Sequence, residues 1–287
     1  MKRPYFLDMA PEFAALENAQ YVLLPVAYDG TSTFEKGADK GPQAILDASD
    51  SLELYDHIYN LEACKAGIYT DSFQYDFSTP QAMVQGVYQR VRHFLETGKI
   101  QGILGGEHSV SIGAIRAMSE CYPDLSVLQI DAHADLRDEY LGSPYNHACV
   151  MRRAQEYARV VQVGIRNVCA EEKQYIVPEN IFYAHHIYNH EKWIPEVLNR
   201  LTEHVYLTID LDGFDPSFVP ATGTPLPGGL SWYAVTAFLE QVCKNKKIVG
   251  FDVVELCPHP YNKTSDVLAA ALVYKIITLL EVFKKKL

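Results

Sequence analysis

The chain of 287 residues has only six cysteines, and no two of them form a CxxC pair. A chain of this length does not need a disulfide framework, so scattered cysteines are typical of reduced thiols inside the cell. The N-terminal segment also lacks the apolar core of an export signal, because Asp8 and Glu12 interrupt it. We therefore expect a cytoplasmic protein.

Positive charge is scarce, since 25 Lys and Arg residues stand against 36 Asp and Glu residues, a net charge of −11 at pH 7. Proteins that bind nucleic acids or anionic membranes need a basic surface, so neither kind of partner is expected. The most apolar stretch, residues 267–283, includes Lys275 and Glu281 and is too short to span a bilayer. An acidic protein of this kind suits a cationic small molecule, although the same charge is also explained by solubility alone.

The sequence also lacks the glycine motifs of nucleotide-binding proteins. Glycines cluster in the segment 29–42, DGTSTFEKGADKGP, but neither GxGxxG nor GxxxxGK[ST] is present. The segment is therefore interpreted as a turn that leads into a helix at Gly41 and Pro42, and nucleotide binding is rejected.

Short strand-like runs alternate with helix-like segments along the chain, and 48% of the residues are hydrophobic. This alternation predicts one α/β domain, residues 1–287, with a mostly parallel sheet of about eight strands in three α/β/α layers. The strands are expected at 21–27, 66–69, 100–104, 126–130, 160–163, 181–183, 205–209 and 247–254. The main helices are expected at 80–97, 109–121, 190–202, 231–243 and 267–283.

Three polar clusters directly follow predicted strands. They are GGEHS at 105–109, DAHAD at 131–135 and DLDGFDP at 210–216. In an open parallel sheet, ligands bind at the carboxyl ends of the strands, so the three clusters are expected to converge on one crevice.

The clusters place carboxylates at alternate positions, which point to the same side of an extended segment. Four grouped carboxylates would repel one another, whereas two divalent cations would neutralise them. Oxygen and imidazole ligands without a thiolate favour Mn²⁺, with Fe²⁺, Co²⁺ or Ni²⁺ as alternatives, over a structural zinc ion. The candidate metal ligands are His108, Asp131, His133, Asp135, Asp210 and Asp212.

The motifs GGEHS, DAHAD, TIDLDGFDPSFVPATGTPLPGGLS and VVELCP occur in the order seen in the ureohydrolase family, and the sequence resembles its agmatinase-like members. The resemblance implies an arginase-type fold, two Mn²⁺ ions per subunit and a homo-oligomer, a trimer or hexamer. It also implies hydrolysis of a guanidino group to urea and a primary amine. One ion would be held by His108, Asp131, Asp135 and Asp210, and the other by Asp131, His133, Asp210 and Asp212.

The same resemblance implies roles for two further residues. Glu255, in VVELCP, corresponds to the glutamate that binds the substrate guanidinium, and His147 corresponds to a histidine that shuttles protons. Asp131 would bridge the two ions, and so would Asp210. The expected catalytic residues are therefore His147, Glu255 and Asp131, with Glu255 and His147 also contacting the substrate.

Two departures from the arginase pattern bear on the substrate. The segment 136–144 lacks the Asn/Thr/Ser-rich loop that binds the carboxylate of arginine, and Cys169 stands where arginases have an acid. Agmatine or aminopropylagmatine is therefore expected, which would place the protein in putrescine or spermidine biosynthesis. The acids that could attract the distal ammonium group are Glu171, Glu172, Asp138 and Glu139.

Other interpretations remain open. The substrate could be guanidinobutyrate, guanidinopropionate, guanidine or formiminoglutamate, and Arg137 or Arg166 would then be the candidate partner of a carboxylate tail. A regulatory or binding module on the same fold would carry damaged ligands, and all six candidates are intact.

Overall fold

Eight parallel strands form one sheet in the computed structural model, which describes residues 5–190 and 192–284. The strand order is β2-β1-β3-β8-β7-β4-β5-β6. The strands are β1 (Tyr21–Val26), β2 (Ile68–Thr70), β3 (Ile100–Gly105), β4 (Ser126–Ile130), β5 (Arg159–Ile165), β6 (Ile181–Tyr183), β7 (His204–Asp210) and β8 (Lys247–Val254). This confirms the predicted α/β class and strand number.

Helices connect most of the strands, and the longer ones agree with the sequence pattern. They are α1 (Pro11–Ala14), α2 (Gly41–Ser49), α3 (Pro80–Leu95), α4 (Ser111–Cys121), α5 (Val150–Ala154), α6 (Ala184–Asn189), α7 (Trp193–Arg200), α8 (Trp232–Asn245) and α9 (Thr264–Val282). Thr79 caps α3, since its hydroxyl accepts a hydrogen bond from the Ala82 N–H at 3.0 Å. The short helices α1, α5 and α6 were not predicted, because helices of four to six residues are too short to show a helical periodicity.

The sheet is buried on both faces. Along β1, Leu23 packs into one core cluster while Val22 and Leu24 pack into the other, because successive side chains of a strand point to opposite faces. Helices α2, α7, α8 and α9 contribute to the first cluster, and α3, α4 and α5 contribute to the second. The molecule therefore has the predicted three layers.

Several expectations concern the ends and the surface of the chain. Residues 1–4, where the N-terminal segment begins, and residues 285–287 lie outside the described residues, as does Glu191 in the expected helix 190–202. Among the described residues, no helix has the length and apolar character needed to cross a membrane. All six cysteines are free thiols.

Because all strands run in the same direction, the segments that follow β1, β3, β4, β7 and β8 emerge at one edge of the sheet. Strand β8 lies in the middle, between β3 and β7. It joins one half of the sheet, β2-β1-β3, to the other half, β7-β4-β5-β6. The three polar clusters lie along this edge.

Candidate active site

His108 lies beyond β3 in a 3₁₀ turn, and it is 1% exposed. Its Nδ1 atom is 3.2 Å from Asp131, 3.1 Å from Asp135 and 3.5 Å from Asp210. Within the described part of the chain, this nitrogen has no hydrogen-bond partner. Burial would lower the pKa of His108, but the three carboxylates raise it well above its usual value. The carboxylates therefore favour a proton or a metal cation at the Nδ1 atom of His108.

His133 forms a second group beside the first. Its Nδ1 atom is 2.9 Å from Asp212 and 3.6 Å from Asp131. Burial opposes protonation of this imidazole, but the carboxylates of Asp212 and Asp131 raise its pKa to about 12. Asp131 belongs to both groups, so the two positions share one carboxylate.

Backbone N–H groups orient the carboxylates. Asp131 Oδ1 accepts from the His133 N–H at 2.6 Å, and Asp210 Oδ1 accepts from the Asp212 N–H at 2.8 Å. Asp212 Oδ1 accepts from the Ala132 N–H at 3.0 Å, which links the β7 cluster to the β4 cluster. The Oδ2 atoms of Asp131 and Asp210 thereby face His108, and the Oδ2 atom of Asp212 faces His133.

The crowding of these acids has an electrostatic cost. Burial and the charge of Asp131 raise the pKa of Asp135 to about 7, and burial with Asp212 and Asp131 raises the pKa of Asp210 well above its usual value. Hard oxygen donors with two imidazoles suit divalent cations, which would remove this repulsion. The structure brings together all six residues that the sequence singled out, and their donor set fits a metal pair.

Glu255 directly follows β8 and is 7% exposed. Its backbone has a left-handed φ of 66°, which is uncommon for a residue with a side chain. Its Oε1 atom accepts a hydrogen bond from the His108 N–H at 2.7 Å, so the carboxylate is fixed beside the cluster. Burial and the charge of Glu107 raise its pKa well above the usual value, so the charged form of this carboxylate would need a cationic partner to stabilise it.

His147 lies in a 3₁₀ turn between β4 and α5. Its backbone N–H donates to Thr31 Oγ1 at 3.0 Å. Its two ring nitrogens lie 3.3 Å from Thr31 Oγ1 and 3.4 Å from Thr33 Oγ1. Burial lowers its pKa to about 4, so the imidazole is neutral at pH 7.

Glu107 binds Thr31, and Thr31 in turn contacts His147. Glu107 is fully buried, and its carboxylate accepts from the Thr31 N–H at 2.5 Å and from the Thr31 hydroxyl at 2.6 Å. Its own N–H donates to the Tyr28 carbonyl at 2.8 Å. The neighbouring Gly106 is required for this close approach, because a Cβ atom there would collide with the Tyr28 backbone. Neither Glu107 nor Thr31 was predicted from the sequence as a functional residue.

A cavity of about 210 Å³ opens above the cluster. Its wall includes His108, His133 and Glu255 at the base, and Phe34, Glu35, Arg137 and Tyr140 nearer the surface. Arg137 is already engaged, because it forms an ion pair with Glu171 at 2.9 Å and lies over the Tyr140 ring.

Most of the acids proposed for a distal ammonium group have other partners. Glu172 accepts from the N–H groups of Leu136 and Cys169 at 2.8 and 2.7 Å, and Asp138 pairs with Arg152 and Arg153. Glu139 is not part of the cavity wall.

The guanidinium of Arg166 is bound by backbone carbonyl groups of the fold. It donates to the backbone carbonyls of Gly164, Asp212, Phe214, Leu226 and Pro227. These bonds hold the segment that follows β7 against the end of β5, so the guanidinium is used by the fold.

Three buried polar side chains in the strands were also missed. Gln129 donates to Asp131 Oδ2 at 2.7 Å, and Thr208 and Asp252 lie beneath His108. Gln129, Thr208 and Asp252 interrupt the apolar runs SVLQI, HVYLTID and KIVGFDVV, respectively. A polar residue within an apolar strand was the signal by which they could have been found.

The chain is similar to known proteins in sequence and in fold. The model of the family described as "Arginase family" matches residues 19–278. An N(1)-aminopropylagmatine ureohydrolase from Synechocystis sp. is 40% identical over 91% of this chain and 89% of its own, and an agmatinase from Pyrococcus horikoshii is 33% identical over 94% and 95%. The crystal structure of agmatine ureohydrolase from Thermoplasma volcanium has a TM-score of 0.84, with 32% identity over 95% of this chain and 94% of that one.

These similarities confirm the resemblance to agmatinase-like ureohydrolases that the motifs indicated. The matched region runs from β1 almost to the end of α9, so it includes every residue of the cluster. The chain belongs to the arginase family.

Proposed function

We propose that the protein hydrolyses the guanidino group of agmatine or N(1)-aminopropylagmatine to urea and a primary amine. The observation that carries this proposal is the buried group of carboxylates around His108 and His133, with Glu255 fixed beside it. The names of the relatives support the choice of substrate.

The cluster is proposed to hold two Mn²⁺ ions per subunit. His108, Asp131, Asp135 and Asp210 would hold one ion, and Asp131, His133, Asp210 and Asp212 would hold the other. Bound there, the metal pair would supply a water molecule whose pKa is lowered towards neutrality, which is the nucleophile that an unreactive guanidinium carbon requires.

Glu255 is proposed to bind the guanidinium. A carboxylate accepts two parallel N–H bonds from such a group, which would orient the guanidino carbon towards the cluster. The His108 N–H uses one lone pair of Oε1, so Oε2 and the second lone pair of Oε1 can accept from the substrate.

His147 is proposed to deliver the proton that the departing amine needs. A neutral imidazole at pH 7 can take a proton from the attacking water and pass it to the leaving nitrogen. Its position depends on Thr31, whose hydroxyl accepts from the His147 N–H and donates to Glu107.

Thr31→Val should therefore lower kcat by about 10- to 100-fold, because a small displacement of a proton-transfer group has a large effect on rate. KM and metal content should change little, since Glu255 and the cluster are untouched. Thr31→Ser keeps the hydroxyl and should recover most of the rate. Steady-state urea release measures both constants, and equal kcat values for the Val variant and the native protein would contradict this role of Thr31.

Glu35 is proposed to bind the ammonium group of the substrate tail. Its exposed carboxylate has no hydrogen-bond or ion-pair partner among residues 5–190 and 192–284, although it lines the cavity. A Cβ atom placed on Gly223 would be 3.3 Å from the Glu35 carbonyl and 3.7 Å from Glu255 Oε2. The Glu35 backbone and the Glu255 carboxylate thus border the same space beside Gly223.

Glu35→Gln should raise KM for agmatine and aminopropylagmatine roughly fivefold, as expected for an exposed ion pair of about 1 kcal/mol. Butylguanidine, which has the same chain without the ammonium group, should be hydrolysed equally by both proteins. Glu17→Gln removes the same charge from a distant exposed position and serves as the control. A loss of the same size on butylguanidine would argue against a contact with the tail.

The proposed function is tested by urea release from Mn²⁺-loaded protein. Agmatine, aminopropylagmatine, arginine, guanidinobutyrate and guanidine are supplied separately, with Asp131→Asn as the control for contaminating activity. Urea from agmatine or aminopropylagmatine is the expected result. A preference for guanidinobutyrate would contradict this substrate and favour Arg137 as the tail partner, in place of its ion pair with Glu171.

We also propose that the protein acts in the cytoplasm as a homo-oligomer, a trimer or a hexamer. Its six free thiols support a reducing compartment. Light scattering of the protein after size-exclusion chromatography measures the assembly, and a mass of one 32.3 kDa chain would contradict it.

A further inference from the structure

A chain of buried polar groups lies in the sheet directly beneath His108. Thr208 in β7 and Asp252 in β8 are paired in the strand register, and both are fully buried. A hydroxyl and a carboxylate at the centre of an apolar sheet are costly unless each has a partner. Their partners connect them to the candidate metal site.

The hydrogen bonds of this chain have a defined direction. Asp252 Oδ1 accepts from the Thr208 hydroxyl at 2.6 Å, and Asp252 Oδ2 accepts from the Tyr206 hydroxyl at 2.8 Å. Thr208 has one hydroxyl proton, and it is given to Asp252. The His108 Nε2 atom, 2.8 Å from Thr208 Oγ1, must therefore carry the proton and donate it to the threonine oxygen.

This direction fixes the tautomer of His108. With a proton on Nε2, the neutral imidazole presents the lone pair of Nδ1, and Nδ1 is the atom that faces Asp131, Asp135 and Asp210. Histidines that bind metals commonly donate their second N–H to a carboxylate or a carbonyl group, which orients the ring and raises its basicity. Here a threonine hydroxyl stands between the histidine and the carboxylate.

We propose that Asp252, acting through Thr208, is a positioning residue that holds His108 as an Nδ1 ligand and sets the affinity of one of the two metal positions. The inference rests on the proposed metal pair. His108 contacts Asp131, Asp135 and Asp210, whereas His133 contacts Asp131 and Asp212. The hydrogen-bonded series Asp252–Thr208–His108 is therefore expected to act on one ion and to leave the other unchanged.

Thr208→Val keeps the side-chain shape and removes the hydroxyl. One of the two Mn²⁺ ions should bind 10- to 100-fold more weakly, as is usual when the partner of a ligand histidine is lost, while the other keeps its affinity. Thr208→Ser should restore the native affinity. Mn²⁺ titration followed by electron paramagnetic resonance, together with the metal content after dialysis, measures both positions.

Thr278→Val is the matched control. Thr278 is buried, and its hydroxyl donates to the Tyr274 carbonyl within α9, so the same substitution removes a buried hydrogen bond outside the cluster. Both Mn²⁺ ions should bind to this variant with native affinity. A weaker ion in Thr278→Val would assign the effect to general destabilisation and overturn the inference.

Further outcomes separate the inference from the function on which it rests. Two ions bound by Thr208→Val with native affinity would overturn the inference alone, whereas native protein that binds fewer than two ions would overturn the metal pair as well. If Thr208→Val does not fold, ¹⁵N NMR of the native protein loaded with diamagnetic Zn²⁺ decides. A proton on Nε2 of His108 is expected, and an unprotonated Nε2 overturns the inference.

Discussion

Asp131→Asn is expected to abolish metal binding and to lower urea release on the order of a thousandfold or more, because the water nucleophile would lose its activation. Asp131 belongs to both groups, with carboxylate oxygens 3.2 Å from His108 Nδ1 and 3.6 Å from His133 Nδ1. Asparagine has the same shape but offers only one neutral oxygen, so both positions would lose a negative ligand.

The measurement combines metal analysis after dialysis with urea release at saturating agmatine. Asp39→Asn makes the same chemical change at an exposed position and should retain both ions and full activity. An Asp131→Asn protein that holds two ions would contradict the proposed ligand set, even if its activity were lost.

Glu255→Gln is expected to lower kcat/KM for the guanidino substrate roughly 30- to several-thousandfold. This factor corresponds to a loss of about 2–5 kcal/mol of transition-state stabilisation. This is the usual cost of removing one partner of a buried charge pair. The amide oxygen of glutamine can still accept the His108 N–H, so the local backbone should be preserved. The loss then reflects the missing charge.

Two readouts distinguish this role from an indirect effect. The Gln variant should retain both metal ions, and Glu255→Asp should recover part of the activity because it keeps the carboxylate. A variant that loses metal along with activity would show that Glu255 acts on the cluster through its contact with His108.

The strands could be predicted because each is a short apolar run bounded by polar residues, as in Ser126–Ile130. The members of the cluster could be predicted because parallel strands end at one edge, which brings the residues after β3, β4 and β7 together. Their assignment as a metal pair also used the family resemblance.

Other contacts could not be predicted, since they depend on how distant segments pack. Thr31 meets Glu107 across 76 positions and His147 across 116. An acid such as Glu172 resembles any surface charge in the sequence, yet the fold buries it against two backbone N–H groups. Arg166 was considered a candidate for a substrate tail, but the carbonyl groups around it exist only in the folded chain.

The central place of β8 has a consequence for the assembly of the molecule on the ribosome. Residues 247–254 are the last strand of the described sheet in chain order, and until they emerge, β3 and β7 keep unpaired edges that invite association with other chains. His108 lies on one side of this seam, and Asp131 and Asp210 lie on the other. Ions held by the proposed cluster would clamp the two halves together once the last strand is inserted, so part of their binding energy would become folding energy.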